Sequence, residues 1–303
     1  MRKFFLVYAL FIFSSYAEEG GSLGVIASSE GASSIRKTQM KRGKIAKQAA
    51  PVDSCCPEES SCPPKPQKSL CCNDPSSHLQ LGGSYRYAYV DPSKLSDLTG
   101  HLRGLNASYD YQKVHLIYQG VTFAWRQGTA HGTRAKRTIC DIDTQGRIGY
   151  TFGKGRHVWL LSLFTGLGYR HLGETSTIEG ASIGYDYNDL YVPVGFWLNG
   201  ALGKYLFTGL HVQWRPQVYP TVAISSLNGA RFDTKYMLGN VLTELPISIV
   251  LSRANNICFV LKPFFEYWQD GATYAKSSQG IPLGISQVTY LFGGVDVNFS
   301  WSF

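Results

Sequence analysis

The chain has 303 residues, of which 44% are hydrophobic and 14% aromatic, and carries a formal net charge of +8. That length holds one large domain or two modest ones, and nowhere do eighteen uninterrupted apolar residues occur, which excludes an ordinary membrane-spanning helix. The positive charge is modest and partly local, too little to argue for a nucleic-acid partner.

Arg2 and Lys3 precede an apolar run over residues 4–13, and Ser15-Tyr16-Ala17 sets small residues at the two positions a signal peptidase inspects. Cleavage after Ala17 is expected, which exports the chain. Residues 18–78 are rich in Gly, Ser, Lys and Pro, hold too little apolar surface to fold alone, and are expected to be a disordered periplasmic segment. The basic run Arg36, Lys37, Lys41, Arg42, Lys44 and Lys47 reads as a solvated linker or a contact for anionic lipid or cell-wall polymer. Five of the seven cysteines lie here: Cys55, Cys56, Cys62, Cys71 and Cys72. Neighbouring cysteines rarely bridge each other, and an oxidising compartment favours disulfides, so five sulfurs leave at least one over. That thiol could join another chain. A zinc site at Cys55, Cys62, Cys71 and Cys72 is the rival, on a spacing that fits no common module.

From residue 79 the sequence alternates apolar and polar residues. Ten segments are predicted, at 79–90, 101–111, 114–126, 138–152, 156–170, 185–199, 204–215, 240–252, 256–269 and 286–303. Eight or twelve would also fit. Tight connections at 112–113, 153–155, 200–203 and 253–255 alternate with long ones near 91–100, 127–137, 171–184, 216–239 and 270–285. This is the rhythm of an all-β, antiparallel, up-and-down transmembrane barrel spanning 79–303, with turns on one side and loops on the other. Predicted lipid-facing rows are Trp159, Leu161, Leu163, Leu167 and Tyr169; Leu190, Val192, Val194, Phe196 and Leu198; Leu206, Leu210, Val212 and Trp214; and Ile257, Phe259, Leu261, Phe265 and Tyr267. Pro193, Pro246 and Pro263 fall inside strands and predict bulges, because each removes a ladder donor. An apparent change of phase near Gly120 predicts another bulge or a misplaced strand.

The opposite rows should face the lumen: Arg86, Asn106, Asp110, Asp141, Asp143, Arg147, Asp189, His211, Arg215, Glu244, Lys262, Glu266, Asp296 and Asn298. Charges of both signs in a narrow interior predict salt bridges between strands or a thin water column. Counting equally from the two ends of the barrel predicts a contact between Arg86 and Asp296.

The last nine residues, Val295 to Phe303, are apolar or aromatic at every odd position and polar at every even one, and end on an aromatic carboxy-terminus. This resembles the carboxy-terminal signature of bacterial outer-membrane barrels, which implies insertion in the outer membrane and contact with its lipid. Asp141, Asp143 and His211 loosely resemble the acidic pair and histidine of omptin proteases. The omptin carboxylate two positions before the histidine is replaced here by Gly209, and Gln213 stands on the other side, so a carboxylate to orient His211 is missing from its own strand. The exported cysteine-rich segment is similar to outer-membrane proteins of chlamydia-like bacteria, which implies disulfide links to other envelope proteins. The expected function is a non-enzymatic barrel with a structural or surface-interaction role. A narrow porin-like channel and, less favoured, an omptin-like or lipid-modifying enzyme are the alternatives. No catalytic residue, cofactor or metal is assigned.

Overall fold

The computed structural model describes residues 77–92, 97–133, 135–153, 159–178, 180–227, 229–252, 254–276 and 282–303, all within the second of two contact-defined units, Lys68–Phe303. The expected signal peptide, the tail up to residue 76 and its five cysteines lie outside the described residues, while Ser77 and His78, expected in the tail, open β1.

Among the described residues sixteen strands form in chain order: β1 (Ser77–Asp91), β2 (Leu98–Tyr111), β3 (Ile117–His131), β4 (Ala135–Gly153), β5 (Trp159–Ile178), β6 (Ala181–Tyr191), β7 (Val194–Ala201), β8 (Leu206–Trp214), β9 (Gln217–Ile224), β10 (Ala230–Asp233), β11 (Val241–Glu244), β12 (Ile247–Ser252), β13 (Ile257–Asp270), β14 (Thr273–Lys276), β15 (Pro282–Ile285) and β16 (Val288–Ser302). Apart from the β14–β15 hairpin they build ten staves, because β6 continues into β7, β8 into β9, and β10 into β11 and β12. Every pairing is antiparallel. β1 pairs with β16 through Leu79↔Trp301 and Leu81↔Phe299, which closes the sheet into a cylinder. β14 and β15 form a separate two-stranded hairpin within the connection from β13 to β16. All ten staves overlap the ten predicted segments.

The side chains follow from a strand's two-residue period. In β5, Trp159, Leu163, Leu167 and Tyr169 are exposed, while Leu160, Ser162, Phe164 and Arg170 are buried. An exposed apolar row on every stave makes a band around the wall. Aromatic residues mark its ends, with Tyr109, Tyr150, Trp159 and Trp301 toward the turns and Tyr87, Trp125, Tyr169 and Tyr219 toward the loops. That is the outward surface of a barrel set in lipid.

Three expectations need correcting. The predicted long loops at 127–137 and 171–184 are mostly strand: β3 and β4 run to within a few residues of each other, as do β5 and β6. β4 has 19 residues and β5 has 20, about twice the 9–11 that a bilayer crossing needs. The barrel therefore rises well past the lipid on the loop side. No bulge occurs near Gly120, since β3 pairs in unbroken register with β2 and β4. Residues 114–116 belong to the preceding turn, where His115 has φ 59°, and Tyr118 and Gly120 simply face inward. A Cβ on Gly120 would lie 2.6 Å from Asp110 Oδ1 and 2.7 Å from the Tyr118 hydroxyl, so only glycine leaves those groups their room.

The prolines also divide. Pro193 separates β6 from β7, beside a register shift at Leu190 and Tyr191, and Pro246 separates β11 from β12. Pro263, by contrast, sits in an unbroken ladder between β13 and β16. Its carbonyl accepts from the Leu245 amide at 2.9 Å, so its donor-less nitrogen faces the same gap that Pro246 opens. Two prolines share one break in the ladder.

Candidate functional site: the charged lumen

Inward positions at the height of the lipid band carry a cluster of four guanidinium groups and three carboxylates. Asp141 on β4 accepts from Arg170 at 2.8 and 3.2 Å and from Arg126 at 3.3 Å, and lies 3.7 Å from Arg86. Glu266 on β13 accepts from Arg86, from Arg170 at 2.9 Å and from Arg215 at 3.1 Å. Arg215 reaches Asp143 at 3.1 Å, and the Tyr191 hydroxyl donates to Asp143 at 2.6 Å. The bridges join strands from opposite sides of the cylinder. Aromatic faces cover the cations: Arg86 lies over Phe264 and Phe292, Arg170 over Trp268 and Phe292, and Arg215 over Tyr191. Asp141, Arg170 and Glu266 are 0% exposed, so this layer fills the section of the lumen. Gly294 helps it close, since a Cβ there would come within 2.9 Å of the Phe264 ring.

A second cluster lies nearer the turns. Asp110 accepts from Tyr118 at 2.6 Å and from Arg147 at 2.9 Å. His211 is opposite Glu244 across β8 and β11, and its Nδ1 faces that carboxylate. Its Nε2 accepts from the Gln213 amide at 2.8 Å and lies 3.5 Å from Arg147, so the ring proton belongs on Nδ1. The ring stacks on Trp197 with centroids 4.7 Å apart.

A third arrangement lies past the lipid band, on the loop side. Arg137 donates to Glu174 at 2.9 Å, and the Tyr290 hydroxyl donates to the other oxygen of Glu174 at 2.8 Å. Burial pushes the Glu174 carboxyl up to about 7, outweighing Arg137 and the two hydrogen bonds that favour its charged form. Around it packs an apolar core that includes Val90, Leu98, Ile139, Leu172, Tyr187 and Val222.

The predicted lumen residues Arg86, Asp110, Asp141, Asp143, Arg147, Asp189, His211, Arg215, Lys262, Glu266 and Asp296 are all buried on inward positions, and Glu244 is nearly so. Arg86 and Asp296 do not pair. The register sets Asp296 opposite Ser84 and Lys262, because Leu79 faces Trp301 and not Phe303. Arg86 turns instead to Glu266 and Asp141. The missing orienting carboxylate for His211 is present after all, as Glu244 on the neighbouring strand. Asp141, Asp143 and His211 nevertheless hold three different sets of partners and do not converge. Sequence reasoning passed over Arg126, Arg170, Arg137, Glu174 and Asp270. Extending each inward row by twos, from Phe164 to Arg170 to Glu174 or from Glu266 to Asp270, reaches three of them. Among the described residues no three His, Cys, Asp or Glu side chains are placed to hold a metal ion.

An apolar wall, a charged interior and antiparallel closure of ten staves together decide the architecture. The described residues form a closed, ten-stave antiparallel β-barrel with an apolar outer wall. No protein family and no curated protein matches the sequence. Among solved structures the barrel is similar to the outer membrane protease OmpT from Escherichia coli, with TM-score 0.49 and 8% identity over 75% of this chain and 96% of that one. It is also similar to the outer membrane protein OprG from Pseudomonas aeruginosa (TM-score 0.34, 11% identity, 78% and 99% covered) and to Neisserial surface protein A (0.31, 11%, 75% and 97%). At these identities the likeness is one of overall shape. What the barrel does must be argued from its own residues.

Proposed function

We propose that this barrel is a non-enzymatic component of the bacterial outer membrane, serving envelope structure or surface contact, with its amino-terminal segment in the periplasm. The observation that carries the reading is the filled lumen. The charge layer around Asp141 and Glu266 and the apolar core above it are both almost fully buried, which leaves a conducting path no room at either height. The same burial argues against catalysis: the His211–Glu244 pair has both imidazole nitrogens engaged, no nucleophile among its partners, and 2% exposure of the histidine. On this reading the contacts lie outside the lumen. The loop-side extension supplies the outer surface, and tail cysteines not used within the chain link the barrel to other exported envelope proteins.

Planar-bilayer recording of the refolded full chain tests the main point. No stepwise conductance is expected; reproducible single-channel steps would favour the narrow channel instead. Non-reducing gels of envelope fractions test the linkage. Higher-mass species that collapse on reduction are expected, and migration only as a monomer would remove that part of the proposal.

A further inference from the structure

The outer wall carries a group of charges that the packing of the lumen does not explain. Where the apolar band ends on the loop side of β1, β2 and β3, an open groove of about 430 Å³ is lined by Tyr87, His101, Arg103, Gln127, Thr129 and His131, among others. All six occupy outward positions. The register fixes their order: Arg103 stands between Tyr85 and Gln127, and His101 between Tyr87 and Thr129. His131 is opposite Lys136 of β4. Four residues of β3 lead from Gln127, beside Arg103, to His131, about 13 Å at ~3.3 Å per residue.

Every lumen guanidinium described above has a carboxylate. These outward cations do not: among the described residues no ion pair holds Arg103, His101, His131 or Lys136. The outward carboxylates Asp91 and Asp97 lie beyond Tyr89 and do not line the groove, and Asp97 accepts from the Tyr89 hydroxyl at 2.6 Å. His101 is held by an aromatic neighbour instead. It stacks on Tyr85 with centroids 5.5 Å apart, and its Nδ1 is 2.8 Å from the Tyr85 hydroxyl, so Nε2 is the nitrogen left for a ligand. An unpaired guanidinium at the edge of hydrocarbon is costly unless an anion meets it.

We propose that this groove binds the phosphorylated sugar headgroup of a lipid in the loop-side leaflet. One phosphate meets Arg103, whose planar fork matches it, with His101 beside it. His131 and Lys136 serve a second anionic group at the far end, and Gln127, Thr129 and the Tyr87 hydroxyl serve the sugar between. The wall below selects a lipid over soluble phosphate. Leu105, Phe123 and Trp125 are exposed on the turn side of Arg103 and Gln127, so a lipid with its phosphate in the groove lays its acyl chains on them. The inference rests on the reading of that wall as lipid-facing, and it holds whether or not the lumen conducts.

Native mass spectrometry of the refolded full chain in a neutral detergent tests the site, using a bisphosphorylated diglucosamine lipid and its dephosphorylated form. One bound copy of the phosphorylated lipid is expected. The dephosphorylated form should bind at least about tenfold more weakly, the scale of one lost charge-assisted hydrogen bond. R103A/K136A should lose that preference, while R231A/K235A, which removes two exposed cations elsewhere on the loop side, should keep it. Equal binding of the two lipids, equal loss in the two variants, or displacement of the lipid by an equal concentration of inorganic phosphate would each overturn the proposal. A chain that forms no heat-modifiable barrel in detergent would overturn the lipid-facing wall as well, whereas a folded barrel blind to the phosphates overturns this site alone.

Discussion

The same strands obey opposite rules at two heights. Beside the lipid, β4 turns Ile148, Tyr150 and Phe152 outward and Asp141, Asp143 and Arg147 inward. A few residues further toward the loops it turns Lys136 outward and Ile139 inward. β5 does likewise, with Leu163 and Leu167 facing out below, Leu172 facing in and Thr175 facing out above. The backbone register never slips between the two regions. What changes is the solvent around the wall. In lipid an apolar surface belongs outside and charges must be paired within; in water the apolar surface is driven to the interior. One cylinder is a membrane barrel below and a soluble barrel above.

The sharpest way to break the lower region is to remove its central acceptor. Glu266→Ala would leave Arg86, Arg170 and Arg215 buried with one acceptor fewer, and a broken buried ion pair costs about 3–5 kcal/mol. Urea titration in detergent, read by heat-modifiable gel mobility, should show this as the largest loss of stability among single variants. A shift no larger than that of a surface variant would mean that water solvates the cluster.

In the upper region the equivalent lesion is a cavity. Leu172 is fully buried in the loop-side core, and Leu→Ala at such a site costs about 2–5 kcal/mol. Leu167→Ala, on the same strand but facing lipid, leaves no enclosed void and should cost much less. Equal losses at the two positions would contradict the change of solvent between them.

The wall itself gives a finer measure. Leu163→Arg places a cation outward in the middle of the lipid band, where a barrel loses about 2–4 kcal/mol, whereas Thr177→Arg, outward beyond the band, should be close to neutral. Folding yields into vesicles compare the two directly.

This inversion also explains what the sequence allowed to be read. The ten staves were legible because lipid forces one apolar face onto each, and the rows through Trp159, Val194, Leu206 and Phe259 needed only the period of two. Above the lipid the apolar parity flips while the ladder continues, so β3 to β6 looked as if they ended in long loops, and Arg137, Glu174 and Asp270 were passed over. Inward rows could be found by parity, but partners could not. Those depend on register between strands distant in sequence, and a shift of two residues at the β1–β16 seam moved Arg86 from Asp296 to Glu266. Glu244 was likewise invisible as the partner of His211, because 33 residues separate them.

The smallest effect tests the upper region through pH. The Glu174 carboxyl rises from an ordinary 4.5 to about 7 in the folded barrel because burial disfavours its charge. Between about pH 4.5 and 7 the unfolded chain gives up a proton that the folded barrel keeps, so stability should be highest below about pH 4.5, fall across that interval and level off above about 7. At about 1.4 kcal/mol per unit the whole loss is at most about 3.5 kcal/mol. Glu174→Gln keeps the hydrogen bond from Tyr290 and removes the titration, so its unfolding midpoint should stay flat over the window where the parent declines. A parent curve that rises with pH across this interval would show instead that Arg137 dominates the site, and that the loop-side interior is wetter than its apolar neighbours make it.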